Sequence, residues 1–268
     1  MISRSLNTQQ KAYRITLLLA LLCGLALDAL ASDYEREKRW ADEVVPGLVV
    51  GDAVYVKAAT GKEFLALFAE AENPRGAVVI VHGLGMHPDH NIISVLRAKL
   101  TEMGYTTLSI QMPVAAAAAR AEAYYPALFP DALNRIGLAG EYLQKKGYKK
   151  IALISHGLGS WMSNVYLDQT ADAPYALWVC MGLTGGFRSR VMGMSLPMLS
   201  VKIPILDVYG EKDMPPVLGA AAGRERSIAD VPGSRQVKIT GADHFYGGKG
   251  NELAQAVAEY LKERWDKP

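Results

Sequence analysis

The sequence is short of three things: cysteine, net charge and long apolar runs. Two cysteines among 268 residues, Cys23 and Cys180, exclude the disulfide framework of small secreted scaffolds. A formal charge of +2 lacks the basic excess that nucleic-acid binding needs. The apolar run at residues 15–27 is shorter than the ~20 residues that span a bilayer. We therefore expect no nucleic-acid partner and, in the processed chain, no membrane span.

The amino-terminal residues have the three-part pattern of a secretory signal peptide. Lys11 and Arg14 precede the apolar run of residues 15–27, and the run is followed by small residues that end at Ala31. We predict a signal peptide over residues 1–31, cleavage after Ala31, and a periplasmic or secreted location. An uncleaved membrane anchor is the alternative.

After the predicted signal peptide, apolar runs alternate with helically spaced segments over residues 32–268. Two β-like segments come first, at residues 52–57 and 63–69, and predict an antiparallel entry to a sheet. Runs without polar alternation, which are typical of strands covered on both faces, recur at 77–81, 106–110, 151–154, 176–181, 205–209 and 236–239. Helical spacing occurs at 92–103, 131–146, 160–167, 217–229 and 252–265. This alternation predicts one α/β domain, with a mostly parallel twisted sheet and helices on both faces.

Glycine-rich or polar turns follow four of the predicted strands. In such sheets ligands bind beyond the carboxyl ends of the strands, so these turns are the place to look for chemistry. The turns are His82-Gly83-Leu84-Gly85, Ser155-His156-Gly157-Leu158-Gly159, Gly210-Glu211-Lys212-Asp213 and Gly241-Ala242-Asp243-His244.

These four turns, in this order, resemble the α/β-hydrolase superfamily. In that family a strand-turn-helix elbow carries the nucleophile between small residues, and an acid and then a histidine follow in the chain. The resemblance implies the α/β-hydrolase fold, with Gly157 at the nucleophile position, Asp213 as the acid and His244 as the histidine. It also implies an oxyanion pocket at the amides of Leu84 and Leu158, beside His82, Gly83 and His156. The turns after residues 81 and 154 are further similar to an exported bacterial subfamily without assigned function.

Gly157 departs from the family pattern. A serine at this position sits on a strained turn, whereas glycine adopts the same backbone angles without a Cβ clash. Glycine therefore keeps the elbow but removes the hydroxyl. The acyl-serine mechanism is not available at this position.

Two neighbouring serines are alternative nucleophiles. Ser155 ends the strand two residues before Gly157, and Ser160 lies in the first turn of the next helix. Both have an ordinary use, because serine near a helix start bonds free backbone groups. Of the two, Ser155 is the better candidate for a displaced nucleophile.

All five histidines follow predicted strands. His82 and His156 are interpreted mainly as residues that pack and bond the loops, with a ligand role as the alternative. A metal site from His82, His87, Asp89 and His90 is conceivable, but its spacing matches no known ligand motif, so we expect no metal and no cofactor.

Two classes of function remain open. The first is a binding protein, a pseudo-hydrolase that keeps the pocket for a small ligand or a protein partner. The second is a hydrolase of small esters in which His244 and Asp213 activate water, or in which Ser155 is the nucleophile. The missing hydroxyl favours the first class.

Overall fold

A computed structural model of the chain describes residues 32–119, 124–185, 198 and 200–266. The predicted signal peptide lies outside these residues. The strands are β1 Asp52–Lys57, β2 Glu63–Ala69, β3 Gly76–Val81, β4 Tyr105–Ile110, β5 Ile151–His156, β6 Leu177–Met181, β7 Ile205–Gly210 and β8 Arg235–Ile239. The helices are α1 Tyr34–Val44, α2 Ile92–Glu102, α3 Tyr124–Lys145, α4 Leu158–Gln169, α5 Pro215–Leu218, α6 Ala221–Ile228 and α7 Gly250–Trp265.

The eight strands form one sheet in the order β1-β2-β4-β3-β5-β6-β7-β8. β2 pairs antiparallel with both β1 and β4, and every other pairing is parallel. The antiparallel entry and the mostly parallel sheet that the sequence predicts are therefore confirmed. The carboxyl ends of β3, β5, β6 and β7 consequently open on the same edge of the sheet.

Helices cover both faces of this sheet. The central strands β3 to β6 are buried along their whole length, as their continuous apolar runs predict. On one face they pack against α3 and α4, where Trp161 and Trp178 are fully buried. On the other face they pack against α2 and α7. Cys180 of β6 is fully buried and its thiol pKa is raised by burial, which fits an inert core thiol.

Three helices differ from the sequence-based expectation. The segment at 217–229 forms two short helices, because Gly219 ends α5 and Arg224 anchors α6 to Asp207 of β7. Helix α3 begins before residue 131 and contains Pro130. The sequence predicts no helix for the charged stretch at the start of the domain, but the structure places helix α1 there. The Asp33 carboxylate caps this helix by accepting a hydrogen bond from the amide of Arg36.

Within the residues that the structure describes, no helix has both the length and the apolar character needed to cross a bilayer.

Candidate functional site

The turn between β5 and α4 has the geometry of an elbow. Gly157 lies at its tip with φ 55° and ψ −116°, angles that a residue with a Cβ adopts only under strain. Gly159 lies in the first turn of α4, where an added Cβ would overlap the carbonyl oxygen of His82. The small residue two positions after Gly157 is therefore required by the close approach of the loop after β3. A Cβ at Gly157 would meet no such obstacle.

The histidine and the acid are joined by a hydrogen bond. His244 Nδ1 donates to Asp213 Oδ1 over 2.7 Å. Burial opposes ionisation of the Asp213 carboxyl, but the bonds from His244 and from the amides of Gly210 and Met214 outweigh it, so that its pKa lies below the ordinary value. Because Nδ1 carries the proton in this bond, Nε2 is left with a lone pair.

The free nitrogen of His244 is directed at Gly157. A Cβ built on Gly157 would lie 3.5 Å from His244 Nε2. A hydroxyl one bond further along such a side chain would come within hydrogen-bond reach of Nε2. The elbow, His244 and Asp213 are thus arranged around the space that a side chain on Gly157 would occupy.

Gly182, which sequence reasoning missed, makes room for this histidine. It follows β6 with φ +62°, and a Cβ added to it would lie 2.8 Å from Cε1 of His244. No alanine could occupy this position without displacing the imidazole. The one signal in the sequence is a glycine placed directly after a buried strand, which is also found in many ordinary turns.

The loop after β3 is held by His82. Its Nδ1 donates to the carbonyl of Gly83 over 2.9 Å, and its Nε2 accepts the amide of Met112 over 2.9 Å. Burial lowers the pKa of His82 to about 3, so the ring is neutral. A small cavity of about 10 Å³, which is enough for one water molecule, separates this loop from Leu158 at the start of α4. The interpretation of His82 as a residue that bonds the loops agrees with these contacts.

His156 is hydrogen-bonded to the backbone of His244. Its Nε2 donates to the backbone carbonyl of His244 over 2.8 Å, and the two rings are 4.7 Å apart. Burial lowers the pKa of His156 to about 4. Its Nδ1 is buried and has no hydrogen-bond partner among the described residues, and a Cβ added to Gly83 would lie 3.0 Å from it. His156 therefore fixes the backbone that carries His244 and packs against the loop after β3.

The amide of Leu158 is a candidate oxyanion donor. Leu158 is the first residue of α4, so its amide has no partner inside the helix and lies at the positive end of the helix dipole. Leu84 is exposed in the loop after β3 and lines the same small cavity as Leu158.

The two neighbouring hydroxyls are bonded elsewhere. Ser155 is fully buried and its Oγ accepts the indole N–H of Trp178 over 2.8 Å. Ser160 is fully buried and its Oγ donates to the carbonyl of Met181 over 3.0 Å. Among the described residues, no hydrogen bond joins either hydroxyl to His244. The geometry does not favour a displaced nucleophile.

The rings of the other two loop histidines are in contact with each other. The rings of His87 and His90 meet edge to face at 5.2 Å, and Trp40 of α1 lies against His87. Asp89 is paired with Arg97 at 2.7 Å. In the described ranges no group of three or more His, Cys, Asp or Glu side chains is arranged to hold a metal ion.

A buried ion pair, also missed by sequence reasoning, fixes the loops around the site. Arg224 and Asp207 pair at 2.9 Å with both side chains fully buried. The same guanidinium donates to the carbonyls of Leu183 and Val217, over 2.7 and 2.9 Å. Leu183 directly follows Gly182, and Val217 lies in α5, four residues after Asp213. Arg224 therefore connects the two segments that follow Gly182 and Asp213.

Exposed apolar side chains occur in the segments that carry the site. Of the large apolar side chains that are exposed in the described part of the chain, four belong to these segments: Leu84 in the loop after β3, Met214 and Leu218 after Asp213, and Phe245 after His244. Met214 directly follows Asp213, and the Phe245 ring lies 5.1 Å from that of His244. We call these four residues the apolar rim.

Comparison with known proteins gives a family match to part of the chain. Residues 35–133 match the family described as "Protein of unknown function (DUF3530)". No curated protein matches the chain in sequence.

Solved structures give a match of fold over most of the chain. Est1E from Butyrivibrio proteoclasticus has 17% identity and a TM-score of 0.65 over 80% of this chain and 99% of its own. Est1E with ferulic acid bound has 16% identity and a TM-score of 0.66, over 80% of this chain and 100% of its own. A dienelactone hydrolase from Anabaena variabilis has 20% identity and a TM-score of 0.61, over 79% and 96%. With the sheet described above, these matches confirm the α/β-hydrolase fold.

Proposed function

We propose that this chain, which has the α/β-hydrolase fold and a segment matched by a family of unknown function, is an exported binding protein. It uses a retained hydrolase site to bind a small carboxylic acid or ester with an apolar body, without forming an acyl-enzyme. The observation that carries the proposal is the position of His244 Nε2, which lies 3.5 Å from the place of a Cβ at Gly157 with no hydroxyl between them. Without that hydroxyl, no covalent intermediate forms at the elbow.

The polar end of the ligand is recognised by the groups at the elbow. The Leu158 amide donates from the start of α4, and His244 Nε2, which faces Gly157, accepts the hydroxyl of a carboxylic acid. The amide and the helix dipole favour a carbonyl or carboxyl oxygen at Gly157, between the amide and the imidazole. The absence of a side chain at Gly157 leaves space for such an oxygen between them.

The apolar rim supports an apolar body for the ligand. Phe245 and Met214 are exposed beside the two residues of the dyad, so a ring or short chain attached to the bound oxygen would cover them. Burial of such a surface is favourable by about 25 cal/mol per Å². Ferulic acid, which is bound to Est1E in one of the similar structures, has this chemistry and is a suitable first probe.

Calorimetric titration with ferulic acid tests the proposal. Phe245→Ala and His244→Ala should each weaken binding about tenfold or more, because each removes a contact worth about 1.5 kcal/mol or more. Tyr55→Ala is the matched control, since Tyr55 is an exposed aromatic residue on the edge strand β1. Heats that are absent for ferulic acid and its methyl ester, or equal losses in Tyr55→Ala, would refute the proposal.

A second candidate function is hydrolysis through water. The 2.7 Å bond between His244 and Asp213 favours it, because this bond orients an imidazole to take a proton from a water molecule at the empty position of the hydroxyl. Slow ester hydrolysis that is lost in His244→Ala and kept in Ser155→Ala would support this function. Hydrolysis that survives His244→Ala would exclude it.

Export is proposed from the signal-peptide pattern of residues 1–31. Mass spectrometry of the chain made in a bacterial host should give a mature product that begins at Ser32. A mature pool that retains residue 1 would contradict export by cleavage.

A further inference from the structure

A buried charge cluster lies where the domain begins. Arg135 of α3 donates to Glu37 of α1 over 2.7 Å and to Asp131 over 2.7 Å. The three side chains are 0%, 6% and 12% exposed, in the order Arg135, Glu37 and Asp131. Two carboxylates against one guanidinium leave this cluster with a formal charge of −1. A buried charge of this kind is costly unless a further cation or donor compensates it.

Two buried atoms of the cluster, Asp131 Oδ1 and Arg135 Nε, have no hydrogen-bond partner among the described residues. Asp131 Oδ2 accepts hydrogen bonds from Ser32, Tyr34 and Arg135, so the acceptor capacity that is left unused is that of Oδ1. The pKa of Glu37 is raised by its burial, which Arg135 only partly offsets, and Asp131 raises it further. Asp131 Oδ1 is therefore an unused acceptor in a cluster that carries an excess of negative charge.

Ser32 is held beside this carboxylate. Its Oγ donates to Asp131 Oδ2 over 2.9 Å, and the next amide, that of Asp33, donates to the carbonyl of Val114 over 2.7 Å. The backbone nitrogen of Ser32 is only three bonds from that Oγ. Ser32 is also the residue that follows the predicted cleavage site at Ala31.

We propose that cleavage after Ala31 completes this cluster. Water adds across the peptide bond under the action of a signal peptidase, so that Ala31 keeps the new carboxylate and Ser32 the new ammonium. In the precursor the Ser32 nitrogen is a neutral amide with one N–H; in the mature chain it is a cation with three donors. The ammonium binds Asp131 Oδ1 and brings the formal charge of the cluster to zero. The site it occupies is a binding site for the processed amino terminus.

The cluster is connected to the candidate functional site. Arg135 Nη1 donates to the carbonyl of Gln111, and the amide of Val114 donates to Glu37 Oε1. Between them, the amide of Met112 donates to His82, which holds the loop after β3. Processing thus stabilises the segment on which His82 depends. This inference rests on the predicted cleavage and not on the proposed ligand.

Two chains that differ by one natural residue test it. One begins at Ser32 and the other at Ala31, and both are released from a removable fusion. The Ser32 chain should have a melting temperature higher by about 3 to 10 °C, as expected for one charge-assisted hydrogen bond in a domain of this size. In the Asp131→Asn background the difference between the two chains should disappear.

A second measurement does not depend on the folding of Asp131→Asn. Acetylation of the amino terminus of the Ser32 chain keeps every side chain and removes the ammonium, so it should lower the melting temperature to that of the Ala31 chain. Equal melting temperatures for all three forms would overturn the inference. A difference that persists unchanged in Asp131→Asn would also overturn it, since the ammonium would then have another partner.

Discussion

Gly157→Ser adds the hydroxyl that the proposed site lacks. The side chain would start 3.5 Å from His244 Nε2, and one rotamer brings the hydroxyl within hydrogen-bond reach of that nitrogen. Asp213 already orients the imidazole, and the amide of Leu158 is in place. The variant should therefore gain activity on small activated esters.

Two magnitudes follow from the geometry. Loss of the serine nucleophile lowers kcat about 2 × 10⁶-fold in a serine protease. A site that is not adapted to its substrate regains only part of this factor when the hydroxyl is added. We therefore expect the rate of ester hydrolysis to rise at least ~10²-fold in Gly157→Ser. The φ of 55° at Gly157 strains any residue with a Cβ, by about 1 to 3 kcal/mol. This strain should lower the melting temperature by about 2 to 10 °C.

The assay compares hydrolysis of a p-nitrophenyl ester by the natural chain, Gly157→Ser and Gly157→Ala. The alanine variant is the matched control, because it has the same Cβ and the same backbone strain without the hydroxyl. Both variants should lose stability, and only the serine variant should gain activity. A serine variant that is as stable as the natural chain and inert toward every ester would refute the placement of Gly157 at the elbow tip.

Three further predictions concern the surroundings of the dyad. Below pH 6.5 the unfolded chain protonates histidines that the folded chain keeps neutral. Burial lowers the pKa of His82 to about 3 and that of His156 to about 4. The free energy of unfolding should therefore fall by roughly 3 kcal/mol for each histidine as the pH is lowered from 6.5 to 4. In urea unfolding, the stability of His156→Gln should depend less on pH than that of the natural chain. Ser155→Ala should lower the stability measured by thermal unfolding by about 1 to 3 kcal/mol, because it leaves the buried indole N–H of Trp178 without its acceptor. The variant should bind the ligand as the natural chain does. Loss of binding would indicate a functional role for the hydroxyl. Gly182→Ala should displace the His244 ring and abolish ferulic acid binding in calorimetry, and normal binding would show that the ring tolerates the Cβ.

Much of the fold could be predicted from the sequence, because the central strands have a simple physical signature. Buried strands such as β3 and β5 are continuous apolar runs, and the turns after them carry the glycines and polar residues that a functional edge requires. The resemblance of these turns to the α/β-hydrolase superfamily then implied that Gly157, Asp213 and His244 belong to one site. The structure brings these three residues together.

The contacts that tie the site to the rest of the fold were not predictable in the same way. Arg224 and Asp207 are 17 residues apart, and neither belongs to a motif, so their burial depends on the packing of α6 against β7. Glu37 and Arg135 are 98 residues apart, and the local sequence around Glu37 is mostly charged. Buried ion pairs of this kind are set by tertiary structure, because a charged residue in a sequence is usually exposed.

Covalent labelling tests the central claim most directly. The claim is that the site keeps the base and the elbow of a hydrolase and has no nucleophile. Intact-mass and peptide mass spectrometry after treatment with an activated phosphonate that reacts with catalytic serines should show no adduct on the natural chain. The same treatment should give one adduct on Gly157→Ser, at position 157, and none when His244→Ala is added. A stoichiometric adduct on Ser155 or Ser160 of the natural chain would contradict the account.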